Sequence, residues 1–325
     1  SAGCVVPFLA VCLWLKMAGV FPQFWFWTFT YIREYASAVG FGNGVRNAYT
    51  TLAGIFHATS LIYLMAGIGL GCLCFKGTES NKRIFLGSFL VFSAFAVCPD
   101  FYFRKHYFIV LAPAIALLAG VAVSSVSRRL AQKFQRPWLL HVFFLLGAMA
   151  CMQSLVVDQA VLFSLSPREA CRAVYGINPF PEAIDIAKYI EENSGKDQRV
   201  FVLGDEPEIY FYSHRLSANT QIYPSQTMDP RPYARKMQER MISEVEQNPP
   251  EFLVYCSIYN SLLQKPNSDP TLTDWAKKYV KENMQLTGIV QFTSPATTES
   301  SWGPEVATAT RKSPYFILVF KKPAP

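Results

Sequence analysis

Four consecutive residues, Arg104, Lys105, His106 and Tyr107, precede a long apolar run in this chain of 325 residues. Two cations and an imidazole flanked by aromatic residues suit a phosphate group, because lysine offers a point charge and arginine can bind two phosphate oxygens at once. The alternative is interfacial anchoring, in which basic and aromatic side chains settle among lipid headgroups. The residues alone do not decide between these two interpretations.

A second candidate is the aromatic stretch FWFWTFTYIREY at residues 24–35, which contains Trp25, Trp27, Tyr31 and Arg33. It lies within a polar-aromatic segment, residues 21–46. The composition fits a segment lying flat on a membrane, or a platform for a sugar or an acyl chain. On the residues alone, interfacial anchoring is the better interpretation.

Five apolar segments must position these residues, in a chain that is 51% hydrophobic and only 16% charged. Runs of roughly 20 uncharged residues cross about 30 Å of hydrocarbon. The segments predict about five membrane spans within a helical region at residues 1–165, and the chain reads as part of a longer protein that it enters partway. The five segments are residues 4–15, 51–75, 84–99, 107–127 and 137–157.

The charge distribution predicts the orientation. Residues 1–163 hold four acids and twelve Lys or Arg, whereas residues 164–325 hold 19 acids and 18 bases. The basic loops at residues 76–83 and 128–136 are separated by two spans, so the positive-inside rule places both in the cytoplasm. A multi-pass plasma (inner) membrane protein follows, with residues 104–107 and the C-terminal half on the periplasmic, extracytoplasmic side. Because the surplus bases flank spans, nucleic acid is not an expected partner.

Residues 166–325 alternate between helical and strand patterns, which predicts a small α/β domain with a mixed, partly parallel sheet. The Pro-, Ser- and Thr-rich stretch at residues 293–313 predicts a flexible loop. The predicted helices are 181–193, 206–214, 232–248 and 271–283, and the predicted strands are 199–204, 251–256, 285–292 and 315–321.

Glycine spacing gives little support to nucleotide binding. Gly204 is followed by Asp205 rather than by the rest of a G-x-G-x-x-G fingerprint. The Gly67-x-Gly69-x-Gly71 run lies in a span, where glycines serve helix packing. The glycines of residues 40–44 predict a turn.

Other polar residues have mainly structural interpretations. Asp205 and Glu206 lie at a strand end, where α/β domains place ligand groups, but we favour a helix cap for Asp205. His57 and His141 lie within spans, where polar groups are costly and can be functional, but we favour helix packing for both. Cys171 and Cys256 are the only cysteines of the outer domain, and a disulfide between them is the less favoured alternative. No cluster of metal-ligand spacing occurs in the sequence, and no cofactor is expected.

Three segments together resemble the bacterial branch of the protein mannosyltransferase and aminoarabinose transferase superfamily, which consists of GT-C glycosyltransferases. They are FWFWTFTYIREY (24–35), FYFRKHYFIVLAPAIALLAG (101–120) and RVFVLGDEPEIYFYSHR (199–215). The resemblance covers the later spans and the outer domain, as the C-terminal part of such an enzyme. It implies a multi-pass membrane bundle followed by an extracytoplasmic α/β domain.

The resemblance also implies a reaction: an inverting transfer of a sugar from a polyprenyl-phosphate carrier to a protein, lipid or glycan acceptor. Arg104 and Lys105 then correspond to the basic residues near the carrier phosphate, with His106 and Tyr107 as neighbours. Trp25, Trp27, Tyr31 and Arg33 become possible contacts to carrier or acceptor. The family's catalytic acid is expected upstream of Ser1, so no catalytic residue is assigned in this chain.

Two other functions fit the composition. A membrane-anchored solute-binding or sensor protein would capture a ligand with its outer α/β domain. A transporter ranks last, because formal charges are missing from the middle of the spans.

Overall fold

The computed structural model describes residues 2–74, 79–294 and 297–323. It divides into two compact units, Ser1–Gln159 and Ala160–Pro325. Phe75, which ends the second predicted span, and Lys76 of the following basic loop lie outside the described residues.

The first unit is helical. A π-helical segment, Phe26–Tyr31, joins α2 to α3, and a 3-10 segment, Lys105–Leu111, leads directly into α6. The α-helices are α1 (Ala2–Met17), α2 (Phe21–Trp25), α3 (Ile32–Ala36), α4 (Phe41–Leu73), α5 (Ser80–Ala96), α6 (Ala112–Phe134) and α7 (Leu139–Val157).

Three helices of the described chain are long and apolar enough to cross a membrane. They are Phe41–Leu73, Lys105–Phe134 and Leu139–Val157, with mean hydropathies of 1.6, 2.4 and 2.0. The other two predicted spans are also helical but shorter, in α1 and in the 17 residues of α5. Membrane-spanning character is therefore supported by length and composition for three of the five segments.

The predicted glycine turn at residues 40–44 is wrong. Gly40 has an extended backbone and caps α4, whereas Phe41 to Gly44 form the first turn of that helix. The long apolar stretch downstream and its packing outweigh the weak helix propensity of glycine.

Helix α4 packs closely on α6 and also contacts α7. A Cβ added at Gly69 would lie 1.8 Å from the carbonyl oxygen of Leu118, so glycine permits backbone-to-backbone contact at this crossing. The helix has non-helical dihedral angles at Thr59. Just beyond this kink, the Gln153 side chain accepts from the Leu61 amide at 2.9 Å and donates to Ser60 Oγ at 3.0 Å.

The second unit surrounds a five-stranded sheet in the order β1-β2-β5-β3-β4. Strands β1 and β2 are parallel and the other pairs are antiparallel, which confirms the predicted mixed sheet. The strands are β1 (Val200–Leu203), β2 (Phe252–Ser257), β3 (Gln285–Phe292), β4 (Thr298–Trp302) and β5 (Phe316–Lys321), and the helices are α8 (Pro167–Tyr175), α9 (Phe180–Glu192), α10 (Glu208–Ser213), α11 (Ala234–Gln247) and α12 (Thr271–Asn283).

Strand β4 corrects the prediction of a flexible loop at residues 293–313. It pairs with β3 from Gly288–Trp302 to Phe292–Thr298, and a 3-10 segment, Gly303–Thr308, follows it. The Trp302 ring stacks on Tyr189 at 4.5 Å, which fixes the end of the strand. A polar edge strand lacks the apolar alternation that identifies a strand in the sequence.

Both faces of the parallel pair β1 and β2 are largely buried, because alternate residues of these strands enter different cores. Val200 and Val202 pack with α9 on one face. Phe201 and Leu203 pack with α11 and α12 on the other. The parallel strands therefore read as continuous apolar runs in the sequence.

Candidate functional site

A strained loop precedes the basic residues of the first unit. Phe101 and Phe103 have positive φ angles of 55° and 46°, a region that bulky residues rarely adopt. The N-terminal turns of α4 hold this loop. Asn47 Nδ2 donates to the Phe101 carbonyl at 3.2 Å, and Gly44 leaves no room for a Cβ, which would lie 2.8 Å from the Cβ of Phe101.

Asp100 ties the two ends of the loop together. Its carboxylate accepts from the Tyr102 amide at 3.0 Å and from the Tyr107 hydroxyl at 2.8 Å. The Tyr107 hydroxyl therefore donates its proton to Asp100 in this structure. His106 is exposed and packs edge-on against the Tyr107 ring at 4.7 Å.

Arg104 sits on a pair of tyrosines. Its guanidinium lies 5.4 Å from the centre of the Tyr102 ring and donates to the Tyr35 hydroxyl at 3.3 Å. The Tyr35 and Tyr102 rings stack at 4.9 Å with 15° between their planes. The side chain is exposed and forms no ion pair with an acid in the described residues.

Lys105 lies on the wall of a cavity of about 320 Å³ within the first unit. Residues of α4, α6, α7 and the 3-10 segment line this open cavity, and no acidic residue is among them. The other lining residues are Ile55, Thr59, Ile62, Tyr63, Phe108, Ile109, Ala112, Ile115, Ala150, Cys151 and Ser154. The arrangement is an open, mainly apolar cavity with one cation at its wall.

The aromatic candidates divide into two groups. Tyr31 stacks on Tyr35 at 6.4 Å, and Trp27 lies 5.2 Å from Tyr31, so both join the row that leads to Arg104. Trp25 instead packs on Phe29 at 4.4 Å. Arg33 is exposed, and its side chain has no hydrogen bond or ion pair in the described part of the chain.

Tyr35, Tyr102 and Asp100 are the residues of this region that the sequence did not single out as site residues. Each lies within one of the two aromatic motifs or directly beside it, so its position in the sequence could have identified it as a candidate. What the sequence lacks is the distance between the motifs, since Tyr35 and Arg104 are 69 positions apart.

Asp205 and its neighbours form a separate polar cluster in the second unit. The expected helix cap is wrong: α10 begins at Glu208, and its N-cap residue is Pro207. The Asp205 carboxylate instead accepts from the Ser225 amide at 3.1 Å and from the Ser225 hydroxyl. Burial raises the pKa of Asp205, although both contacts with Ser225 oppose the shift.

Glu206 is the most buried member of this cluster, with 2% of its surface exposed. Ser261 Oγ donates to its carboxyl group at 2.9 Å. Burial raises the pKa of Glu206 to about 7, and the contacts with Cys256 and Ser261 oppose this shift only in part.

Cysteine and metal chemistry receive no support from the described residues. Cys171 and Cys256 are both free, so the possible disulfide between them is not formed. Burial raises the pKa of both thiols, which makes them poor nucleophiles. No group of three His, Cys, Asp or Glu side chains capable of holding a metal ion occurs in residues 2–74, 79–294 and 297–323.

No protein-family model, curated protein or solved structure matches the chain.

Proposed function

We propose that the protein is an integral membrane glycosyltransferase that moves a sugar from a polyprenyl-phosphate carrier to an extracytoplasmic acceptor. The observation that carries this proposal is the position of Lys105, beside an open, mainly apolar cavity lined by residues of the three longest apolar helices. An isoprenoid phosphate needs this combination, an apolar chamber for its chain and a fixed cation for its head.

Arg104 supports the same ligand from the adjacent position. Its guanidinium is exposed and is oriented by Tyr35 and Tyr102. A guanidinium held in this way loses little conformational entropy when it binds two phosphate oxygens. Tyr31, Tyr35 and Tyr102 form a row of stacked aromatic rings beside Arg104.

The proposed chemistry is a displacement at the anomeric carbon. A nucleophilic atom of the acceptor forms a bond to that carbon, while the bond from the carbon to the phosphate oxygen breaks and its electron pair leaves with the phosphate. Arg104 and Lys105 stabilise the negative charge that accumulates on the leaving group. The acceptor proton passes to a base, which we do not assign to any residue of this chain.

The proposed location is the plasma (inner) membrane, with the second unit on the periplasmic side. The imbalance of bases over acids in residues 1–163 supports this orientation through the positive-inside rule. Exposed cations near a helix end also bind lipid headgroups without catalysis. A measurement of turnover therefore distinguishes a transferase site from a membrane anchor.

The test is a transfer assay with the full-length protein and a labelled polyprenyl-phosphate sugar. We expect Arg104→Ala and Lys105→Ala each to lower turnover by about 100-fold, the range measured for loss of one group that stabilises a developing anion. Lys133→Ala, which removes an exposed cation at the far end of α6, is the control and should retain activity. Normal turnover in both site variants would contradict the proposal.

A further inference from the structure

A second cavity, of about 340 Å³, lies in the second unit between α12 and strands β2 and β5. Its apolar wall consists of Leu203, Leu253, Leu318, Phe320, Ala276 and Val280. Leu203 and Leu253 are fully buried, whereas Leu318 and Phe320 are only partly covered. The cavity therefore opens where the helical cover of α11 and α12 ends over the middle of the sheet.

The polar lining residues of this cavity can donate hydrogen bonds. Lys277 is its one charged residue, and no acid is among the lining residues. The Tyr255 hydroxyl and the Gln264 carboxamide have no hydrogen-bond partner in the described residues, whereas Thr273 Oγ1 already donates to the Pro270 carbonyl at 2.9 Å. The site thus presents an ammonium, a hydroxyl and an amide that are available to a ligand.

The Lys277 ammonium pairs with Asp274 at 2.9 Å, on the surface of α12. Both side chains are mostly exposed, and exposed pairs of this kind are worth only about 0–1 kcal/mol. A ligand anion can therefore compete for Lys277 at little cost.

A smaller cavity, of about 230 Å³, shares Tyr255 and Gln264 with the first. Its wall includes the exposed side chains of Tyr259, Leu263 and Tyr315. The two partnerless polar groups therefore lie at a junction between an apolar chamber and an exposed aromatic rim. This is the arrangement of small-molecule sites, which combine a mainly apolar wall with a few convergent polar groups.

We propose that this cavity binds a single-chain anionic amphiphile of the fatty-acid class. The chain occupies the apolar wall, and the carboxylate is held by Lys277, Tyr255 and Gln264. A volume of about 340 Å³ is at the small end of ligand sites, which fits one chain rather than a two-chain lipid. This site does not depend on the proposed transfer reaction, because every lining residue belongs to the second unit.

A photoreactive palmitic acid analogue tests the proposal on the full chain in lipid nanodiscs, with cross-linked peptides mapped by mass spectrometry. We expect adducts on the peptides of β5 and α12, and at least a fivefold loss of these adducts under excess palmitate but not under excess hexadecanol. Leu318→Trp fills the chamber and should abolish them. Lys277→Gln should lower them several-fold, whereas the control Lys278→Gln, one position away and outside the lining, should not.

Adducts that are spread along the chain, or that survive Leu318→Trp in a protein with an unchanged Tm, would overturn the site. Equal competition by hexadecanol, or full labelling of Lys277→Gln, would overturn the recognition of the carboxylate. Because Lys277 is exposed, that variant remains informative even where the buried tryptophan prevents folding.

Discussion

Glu206 shows how burial sets the titration of a single residue. Its carboxyl group is enclosed at the end of β1, where it contacts Ser261 and Cys256, and Gly204 is required beside it. A Cβ at Gly204 would lie 2.2 Å from Glu206 Oε2. The neutral carboxyl group suits this site better than the carboxylate, because no cation faces it among the groups that influence its pKa.

The pKa of Glu206, about 7 against an ordinary 4.5, predicts a loss of stability with rising pH. The folded state binds the proton more tightly, so its stabilising contribution is complete below pH 4.5 and is lost as the pH rises to about 7. The loss is on the order of 3 kcal/mol. Glu206→Gln should flatten this part of the profile in thermal unfolding between pH 4.5 and 8.

The partly buried carboxyl groups of Asp205 and Glu208 also have pKa values raised by burial, and they add to the slope in the same direction. The contribution of Glu206 is therefore measured by the difference in pH dependence of thermal unfolding between the wild-type protein and Glu206→Gln. Parallel profiles for the two proteins would show that Glu206 does not titrate in this range.

Arg172 and Glu182 form a buried ion pair, and the nearby pair of Arg168 and Asp185 is exposed. Their side chains are only 13% and 5% exposed, and Glu182 Oε2 has no hydrogen-bond partner among the described residues. Arg172→Ala leaves this carboxylate buried without its cation, so we expect a loss of about 3–5 kcal/mol in the free energy of unfolding. Arg168→Ala breaks the ion pair between Arg168 and Asp185, whose side chains are 55% and 50% exposed. This variant should lose less than about 1 kcal/mol in the free energy of unfolding. Similar losses in both variants would contradict this account.

At the scale of elements, the contact between α4 and α6 depends on Gly69. The three glycines of this run look equivalent in the sequence, but only Gly69 faces a neighbouring backbone. A Cβ at Gly67 or at Gly71 would meet nothing within 4 Å. Helix contacts of this kind rest on close packing, which one methyl group can prevent.

Gly69→Ala should therefore destabilise the first unit, by about 1–3 kcal/mol as in other overpacked sites. Gly71→Ala is the matched control, and should be neutral or slightly stabilising because alanine favours helix. The measurement is the Tm of each variant in the same detergent. An unchanged Tm for Gly69→Ala would show that the two helices are not in contact at this point.

The elements that the sequence predicted well are those with a strong apolar period. The helix at residues 181–193 and the strands at 199–204 and 251–256 correspond to α9, β1 and β2 within one residue at every end. Strand β4 was missed because it is a polar edge, and the start of α4 because its glycines read as a turn. Local composition does not carry the tertiary contacts that decide such cases.

The candidate site also contains features that the sequence predicts and features that it does not. Arg104 and Lys105 could be selected from the sequence, because they directly precede an apolar run. The stacking of Tyr35 on Tyr102, and the engagement of Tyr107 by Asp100, depend on the strained loop and on its docking to α4. These are tertiary features, and no spacing within either motif contains them.

At the scale of the whole molecule, the proposed orientation places the Lys105 end of the helix Lys105–Phe134 outside the cytoplasm and the Phe134 end inside it. In a cysteine-free background, a membrane-impermeant maleimide added to intact cells should label His106→Cys but not Lys133→Cys. Labelling should become equal once the membrane is permeabilised. The reverse pattern in intact cells would move the site to the cytoplasmic side and contradict extracytoplasmic transfer.

The central claim is that Arg104 and Lys105 hold the phosphate of an isoprenoid carrier. Native mass spectrometry of the full-length protein with polyprenyl phosphate, and with the corresponding polyprenol, tests it most directly. We predict that the wild-type protein and Lys133→Gln retain the phosphate and bind the alcohol at least tenfold more weakly, whereas the double variant Arg104→Gln/Lys105→Gln loses this preference. Equal retention of the phosphate by the double variant and the wild-type protein would contradict the claim.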